Sequence, residues 1–273
     1  MQARTVKHTI ELHGAGLHSG QLVRVRIKPN AEGRGIRFVR GDLPGAPAIL
    51  SGDICHVGAP LRTVLRNGAA EVHTVEHLLS ALAGLGVTDC EIEMDGEEVP
   101  GLDGSALCFA DAIRSAGIVV LARDVAPIVV RERVAIQDGP ASIEALPYDG
   151  FKVSYTLDYP GHALAQGTFE FEFSEADYLR EIAPARTFAI RPEAEKMRAA
   201  GMGKGASAQN TVIIDGDKAV GTTLRFDNEP VRHKILDVIG DLYVLGRPIR
   251  AHVIAKYSGH RANRMLAHRL VTG

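Results

Sequence analysis

Strand-like segments precede a helix-bearing segment twice along this chain, and that order restricts the folds open to it. A hairpin is predicted over residues 4–28, and its second arm alternates strictly between apolar and polar residues. Near residues 122–127 the pattern resets and a new run of strands begins. Strands grouped before helices indicate the α+β class. We therefore expect two α+β domains, 1–126 and 127–273, although the sequence similarity between them is weak.

Hydrophobic periodicity and turn residues predict the individual elements. Strands are expected at 5–12, 21–28, 90–94, 128–136, 141–146, 151–157 and 168–173, and strands with loops over the Gly- and Pro-rich residues 30–65. Helices are expected at 71–84, 106–116, 193–200 and 230–245, and a strand–helix–strand insert at 189–214. The predicted core residues are Val23, Val25 and Ile27 of the hairpin, Val72, Val75, Leu78, Leu79 and Leu82 of the first helix, and Val231, Ile235, Val238, Leu242 and Leu245 of the last. Asp227 and Asn228 are expected to cap that last helix.

The overall composition argues against several classes of protein. The 273 residues carry a formal net charge of -2, and the basic stripe of a nucleic-acid-binding protein is missing. No apolar run approaches the ~18 residues of a membrane-spanning helix. Cys55, Cys90 and Cys108 lack the spacing of a disulfide framework, and the first residues lack a signal-peptide pattern. We expect a cytoplasmic protein without nucleic-acid partners, and we also expect a monomer.

Two short segments carry the residues with the clearest chemistry. His233 and Asp237 are four residues apart in the last predicted helix, so their side chains point the same way. Glu76 precedes His77 in the first. Two imidazoles and one carboxylate form a three-ligand shell with an open position, which is typical of a catalytic zinc ion. Glu76, beside a ligand, is then placed to accept a proton from a water on the metal.

The residues alone leave three kinds of metal site open. His73, Glu76 and His77 spell His-x-x-Glu-His, the inverted zinc-peptidase motif, in which both histidines would bind the metal. In a second interpretation His73 is incidental, and the partners of His77 are His233 and Asp237. The third is the iron(II) site of oxygenases, with two histidines and one carboxylate. A base beside the metal suits hydrolysis better than oxygenation.

Six ordered motifs resemble one family over the full length of the chain. They are GAGLHSG (14–20), TVEHLLSALAGLG (74–86), LDGSA (102–106), ARTF (185–188), VRHKILDVIGDL (231–242) and SGH (258–260). Together they are similar to the UDP-3-O-acyl-N-acetylglucosamine deacetylases, the zinc amidohydrolases of lipid A synthesis. The resemblance implies two similar domains, each a sheet with helices on one side, with the helical layers facing each other around a site at the junction. It implies one catalytic Zn²⁺ on His77, His233 and Asp237, with Fe²⁺ as an alternative in the cell.

The same resemblance implies roles for further residues. Glu76 is the general base, and Thr187 matches the family's position for holding the tetrahedral oxyanion. His260 is expected to protonate the leaving amine. Asp241, one turn beyond Asp237, is expected to orient His260, with a solvated helix charge as the simpler interpretation.

The implied substrate carries a uridine diphosphate and a 3-O-acyl chain. Lys234 is expected to face away from the ligands and to contact the diphosphate, or else to be a surface lysine, and His18 either contacts substrate or fills a glycine-rich turn. The insert is expected to form a passage for the acyl chain. Its predicted apolar lining is Phe188, Ile190, Met197, Met202 and Val212. The chain departs from the family at His73, where Ser or Thr is usual, and at Ala208, where a large residue is.

Overall fold

A computed structural model describes residues 1–52 and 61–272. Cys55, named above, lies outside the described residues. The elements of the first part are β1 (Gln2–Val6), β2 (Ile10–Ala15), β3 (Leu22–Pro29), β4 (Ile36–Arg40), β5 (Ala48–Leu50), β6 (Val64–Asn67), β7 (Ala70–His73), α1 (Glu76–Gly84), β8 (Cys90–Met94), α2 (Leu107–Ala116) and β9 (Ile118–Asp124).

Strand β8 lies at the centre of the first large sheet. The strand order is β2-β3-β8-β4-β5, and β8 runs antiparallel to β3 and parallel to β4. Val23, Val25 and Ile27 of β3 are buried, as the alternating pattern predicts. Two smaller pairs stand beside this sheet, β1 with β9 and β6 with β7.

The second part begins with β10 and ends with α6. Its elements are β10 (Ile128–Val129), β11 (Val134–Asp138), β12 (Ala141–Leu146), β13 (Phe151–Asp158), β14 (Gln166–Glu172), α3 (Glu175–Asp177), β15 (Phe188–Ile190), α4 (Arg191–Ala199), β16 (Val212–Asp215), β17 (Lys218–Val220), α5 (Glu229–Tyr243), β18 (Ile249–Lys256) and α6 (His260–Thr272). A short 3₁₀ helix (Ala163–Ala165) and a π-helical turn (Tyr178–Ile182) connect them. The predicted insert is present as β15, α4 and β16.

Strand β18 takes the place in the second sheet that β8 takes in the first. The order is β11-β12-β18-β13-β14, with β10 also paired to β18. β18 runs antiparallel to β12 and parallel to β13. The α+β class is therefore confirmed. We propose, from the matching strand orders, that the halves 1–126 and 127–273 are two domains of one architecture.

Helices α1 and α5 join the two halves. Gly240 of α5 lies so close to α1 that a Cβ there would be 2.0 Å from the backbone oxygen of Glu76. Tyr243, near the other end of α5, donates its hydroxyl to the carbonyl of Val87 at 2.9 Å. Both helices are buried along most of their length. Polar side chains at this contact are therefore held away from bulk water.

The first helix is shorter than its periodicity predicts. Residues Ala70–His73 form β7, which pairs with β6, and the backbone turns at Thr74 with φ of 58°. Cross-strand pairing outweighs the helical pattern over these residues, so α1 begins at Glu76. Val72 and Val75 are buried all the same.

Other boundaries also differ from the prediction. The strand expected at 5–12 is divided between β1 and β2, and that at 128–136 between β10 and β11. Neither β18 nor α6 follows from the pattern analysis. The expected cap of α5 is also wrong: Asn228 precedes the helix, but its Oδ1 accepts a bond from Arg232 Nε at 2.6 Å instead of capping. Among the described residues, no helix has the length and apolarity needed to cross a bilayer.

Candidate active site

His77, His233 and Asp237 converge where α1 meets α5. Their candidate ligand atoms all lie within 4.8 Å of one another, and each residue is at most 4% exposed. Asp237 Oδ1 lies 3.3 Å from His233 Nε2 and 3.8 Å from His77 Nε2. The two imidazole rings meet edge to face with centroids 5.0 Å apart. The one-turn spacing on α5 and the packing of α1 against it bring the three side chains together.

The chemistry of this group fits a divalent metal ion. Asp237 Oδ1 is buried and has no hydrogen-bond partner in the part of the chain that the structure describes, which is costly for a carboxylate oxygen. His233 Nδ1 is 3.0 Å from the carbonyl oxygen of Ala185, so it donates there and leaves Nε2 free as an acceptor. Two neutral imidazoles and a carboxylate are a ligand set that zinc accepts.

Lys234 balances the charge of Asp237. Its Nζ donates to Asp237 Oδ2 at 2.6 Å, and its side chain is 15% exposed. It lines the same cavity as the three candidate ligands, so the expectation that it faces away from them was wrong. Burial opposes the ionisation of Asp237, but Lys234 and His233 outweigh it and hold the pKa of Asp237 below its ordinary value. Burial, together with His233, lowers the pKa of His77 to about 3, which keeps it neutral as a ligand must be.

A second group, Glu76, His260 and Asp241, lies beside the first. His260 Nε2 is 3.8 Å from Glu76 Oε1, and His260 Nδ1 is 2.8 Å from Asp241 Oδ2. Asn263 also donates to Asp241 Oδ2, at 2.8 Å. Asp241 is fully buried, so it is no solvated helix charge. These bonds direct the Nε2 side of His260 toward Glu76.

The surroundings of this group give its base and its acid opposite charges. Burial raises the pKa of Glu76 to about 7, and the nearby Asp241 and Asp237 add to that effect while His260 opposes it. Burial disfavours the charged form of His260, but Asp241 and Glu76 outweigh it and raise the pKa of His260 to about 9. Between these two values Glu76 is a carboxylate and His260 an imidazolium. A proton acceptor and a proton donor therefore stand side by side.

Thr63 links the base to Asp241, and no sequence pattern points to it. Its backbone N–H donates to Glu76 Oε2 at 3.1 Å, and its hydroxyl donates to Asp241 Oδ1 at 2.5 Å. Arg264 Nη1 donates to the same hydroxyl oxygen at 3.3 Å. Thr63 is completely buried. One residue thus fixes carboxylates from both halves of the chain.

Both groups face a single cavity of about 140 Å³. Its lining includes Glu76, His77, His233, Lys234, Asp237 and His260, together with His18, Tyr159, Thr187, Phe188 and Met197. Backbone bonds hold Thr187 in this wall: its N–H donates to the carbonyl of Gly104 at 2.8 Å, and its carbonyl accepts from Val212 at 2.9 Å. The cavity therefore combines a candidate metal-ligand set with a carboxylate, an imidazole and a hydroxyl residue.

Comparison with known proteins identifies the family. The sequence profile of the family UDP-3-O-acyl N-acetylglycosamine deacetylase (LpxC) matches residues 3–272. A curated protein of Myxococcus xanthus (strain DK1622) named UDP-3-O-acyl-N-acetylglucosamine deacetylase is 38% identical over 271 residues, which cover 98% of this chain and 86% of that protein. The chain belongs to the UDP-3-O-acyl N-acetylglycosamine deacetylase family. The family predicted from the six motifs is confirmed, and the chain is an amidohydrolase that acts on a small molecule.

The peptidase alternative is not favoured by this membership, nor by the position of His73. That residue lies in β7, and Thr74 turns the backbone before α1 begins, so His73 and His77 do not share a helix. His73 Nε2 instead lies 2.7 Å from Glu71 Oε2 and 2.9 Å from Glu97 Oε1, in a separate surface group. The His-x-x-Glu-His spelling is therefore not realised as a helical metal motif.

The loop that carries His18 is held by Glu98, another residue that the sequence analysis missed. Glu98 Oε1 accepts from the His18 backbone and from the Thr74 hydroxyl, both at 2.9 Å, and Oε2 accepts from the Ser19 backbone at 2.7 Å. Burial opposes the ionisation of Glu98, but these bonds lower its pKa. Burial also lowers the pKa of His18. His18 lines the deacetylase cavity, and its lowered pKa favours the neutral imidazole.

The acyl passage predicted in the insert corresponds only partly to the observed cavity. A space of about 270 Å³ shares Ala189, Met197 and Gly203 with the first cavity, and Met202 also lines it. Ile190 and Val212 are instead 4% and 0% exposed and belong to the core. The strand period explains this correction, because Ile213, next to Val212, points the opposite way and lines the space.

Proposed function

We propose that this chain hydrolyses the N-acetyl group of UDP-3-O-acyl-N-acetylglucosamine to acetate and a free amine, in lipid A biosynthesis, with one bound Zn²⁺. The observation that carries the proposal is the meeting, in one buried cavity, of the three-residue ligand group and the Glu76–His260 pair. Family membership supplies the substrate class.

The proposed reaction assigns a task to each group around the cavity. His77, His233 and Asp237 would hold a divalent ion, which would supply Lewis acidity toward a water and the acetamide carbonyl. Glu76 accepts the proton of that water as the new C–O bond forms. His260 donates its proton to the amine nitrogen as the C–N bond breaks. The imidazolium that this step needs is favoured by Asp241.

The remaining residues bind the substrate in this proposal. The Thr187 hydroxyl donates to the developing oxyanion, since that residue is held in the cavity wall. Lys234 contacts the diphosphate in addition to its bond with Asp237. His18 contacts the substrate from its loop. Phe188, Met197 and Met202 give the acyl chain an apolar path. The cytoplasmic location and the monomeric state stay predictions, to be checked by fractionation and sedimentation.

The decisive experiment is a deacetylation assay on acylated UDP-N-acetylglucosamine, combined with metal analysis. Glu76→Gln keeps the size of the side chain but cannot accept a proton. We expect kcat to fall by about 10²–10⁴-fold while zinc stays bound at one ion per chain. His73→Ala is the matched control, because this histidine lies outside the cavity, and it should keep both zinc and activity. Full activity of Glu76→Gln would contradict the proposal.

A further inference from the structure

Another cavity, larger than the two described above, lies at the opposite end of the contact between α1 and α5. Its volume is about 370 Å³, within the ~300–1,000 Å³ of small-molecule sites, which favour domain interfaces. Ala83 of α1 and Leu242 of α5 contribute to its wall. Leu242 is nine residues beyond His233, or about 14 Å along the helix. Among the described residues, none lines both this cavity and the active site.

The floor of this cavity is apolar. Ile239 and Leu242 form one side, and Phe151 and Phe173 form another, with their ring centroids 6.2 Å apart. Both rings are half-buried, whereas Ile239 and Leu242 are 2% and 1% exposed. Water in such a space gains little from its walls, so an apolar group that replaces it is favoured.

The rim of the cavity carries an excess of positive charge. Arg4, Arg247 and Arg250 line it, against one carboxylate, Glu175. Arg4 lies 3.4 Å from Glu175, and Arg250 lies 3.4 Å from Asp149, whose side chain is 95% exposed. Arg247 Nε donates to an uncharged backbone carbonyl at 2.9 Å. The rim can therefore receive an anion.

We propose that this cavity binds a single-chain amphiphilic carboxylate, that is, a free fatty acid. The acyl chain occupies the apolar floor, and the carboxylate pairs with the guanidinium groups of Arg247 and Arg250, whose planar forks match a carboxylate. An apolar floor without a charged rim would fit a neutral ligand, and a charged rim without the floor would fit a small anion. Only an amphiphilic anion uses both.

Calorimetric titration of the zinc-loaded protein with hexanoate, octanoate and decanoate tests the apolar half of the proposal. We expect the affinity to rise about fourfold for each added methylene, the equivalent of ~0.8 kcal/mol. Decanol has the same chain without the charge and should bind at least tenfold more weakly than decanoate. Equal affinity across the chain-length series, or for decanol and decanoate, would overturn the proposal.

Paired substitutions locate the bound ligand. Arg247→Glu combined with Arg250→Glu should weaken decanoate binding more than tenfold, and Ala83→Phe, which extends a ring from the wall over the apolar floor, should abolish it. Arg114→Glu is the matched control: the side chains of Arg114 and Arg250 are both 56% exposed, and each lies near one carboxylate, at 3.6 and 3.4 Å. It should leave binding unchanged.

Two results would contradict the proposal, one by assigning the fatty acid to another site and one by assigning the cavity another role. Loss of decanoate binding in Met197→Glu, with retention in the rim and floor variants, would assign the fatty acid to the acyl passage of the active site. Self-association of the wild-type protein that Ala83→Phe abolishes, without fatty-acid binding, would make the cavity a subunit contact. Binding is measured without substrate, so this inference and the proposed deacetylation can fail separately.

Discussion

Asp241 controls the charge of His260, and the charge on His260 favours the Glu76 carboxylate more strongly than Asp241 itself opposes it. Burial alone would leave both Glu76 and His260 uncharged. The Asp241 carboxylate, 2.8 Å from His260 Nδ1, favours the imidazolium, and the imidazolium in turn favours the Glu76 carboxylate. A carboxylate and an imidazolium, the charges that the proposed mechanism requires, therefore coexist in a buried site.

The first prediction concerns the pH profile. The proposed mechanism needs Glu76 deprotonated and His260 protonated, so kcat/KM should fall below about pH 7 and above about pH 9. Asp241→Asn removes the charge that raises the pKa of His260, so the alkaline limb should move to lower pH by about one unit or more. Asp111→Asn, on the exposed side of α2, should keep the wild-type profile. An unchanged alkaline limb in Asp241→Asn would exclude His260 as the acid.

Thr63 is expected to act as a positioning residue. Thr63→Val keeps the volume and the backbone N–H that donates to Glu76, but it removes the hydroxyl bond to Asp241. Leaving a buried carboxylate oxygen unpaired costs about 1–3 kcal/mol. We therefore expect kcat/KM to fall about tenfold, with a displaced alkaline limb. Thr63→Ser keeps the hydroxyl and should retain the wild-type kcat/KM and the wild-type alkaline limb. If Thr63→Val has wild-type kinetics, the hydrogen bond from the Thr63 hydroxyl to Asp241 does not contribute to catalysis.

The sequence was enough to find the site residues that are close in the chain. The adjacency of Glu76 and His77 and the one-turn spacing of His233 and Asp237 are local patterns, and the motif resemblance adds His260. Thr63 could not be found in this way, because it acts on a carboxylate 178 residues away. No periodicity encodes a single hydrogen bond between distant segments.

At the scale of elements, the crossing of α1 and α5 determines whether the three candidate metal ligands meet. His77 lies one residue after Glu76, and the backbone oxygen of Glu76 is the atom that approaches Gly240 most closely. A side chain at this point must push the helices apart. The separation of His77 from His233 and Asp237 would change with it.

Gly240→Ala should therefore destabilise the protein, although alanine is the better helix former by about 1 kcal/mol. The new Cβ would lie 2.0 Å from a backbone oxygen, and overpacking of this kind costs about 1–3 kcal/mol. We expect the melting temperature to drop by about 5 °C and zinc affinity to weaken. Gly259→Ala, whose Cβ would meet nothing within 4 Å, is the steric control for melting temperature. A rise in melting temperature for Gly240→Ala would refute the close approach.

Helix α5 is predictable because its buried stripe is long and regular. The start of α1 was predicted too early, because residues 70–73 fit a helical stripe and a strand equally well and only pairing with β6 decides between them. Val212 was assigned to the acyl passage for a related reason. Apolarity alone does not tell which face of a two-sided strand is packed, and Val212 and Ile213 point in opposite directions.

At the scale of the whole molecule, each half contains one large sheet, and the central strand of that sheet is the last of its strands along the chain. β8 enters between β3 and β4, and β18 enters between β12 and β13 with the same directions. The grouping of strands before helices predicts the α+β class, but strand order depends on long-range pairing that local patterns do not contain. The candidate metal-ligand group draws one residue, His77, from the first half and two, His233 and Asp237, from the second.

Removal of the metal should therefore weaken the junction between the halves. A ligand that binds only the folded state at 100 times its Kd stabilises it by about 2.7 kcal/mol, which corresponds to roughly 5–10 °C in melting temperature for a chain of this size. We expect a chelator to lower the melting temperature by that amount and added zinc to restore it. His77→Ala, which removes the ligand contributed by the first half, should melt at one temperature with or without chelator, whereas His73→Ala should keep the wild-type difference. If the wild-type protein melts alike in zinc and in chelator, the three side chains do not hold an ion that bridges the two halves.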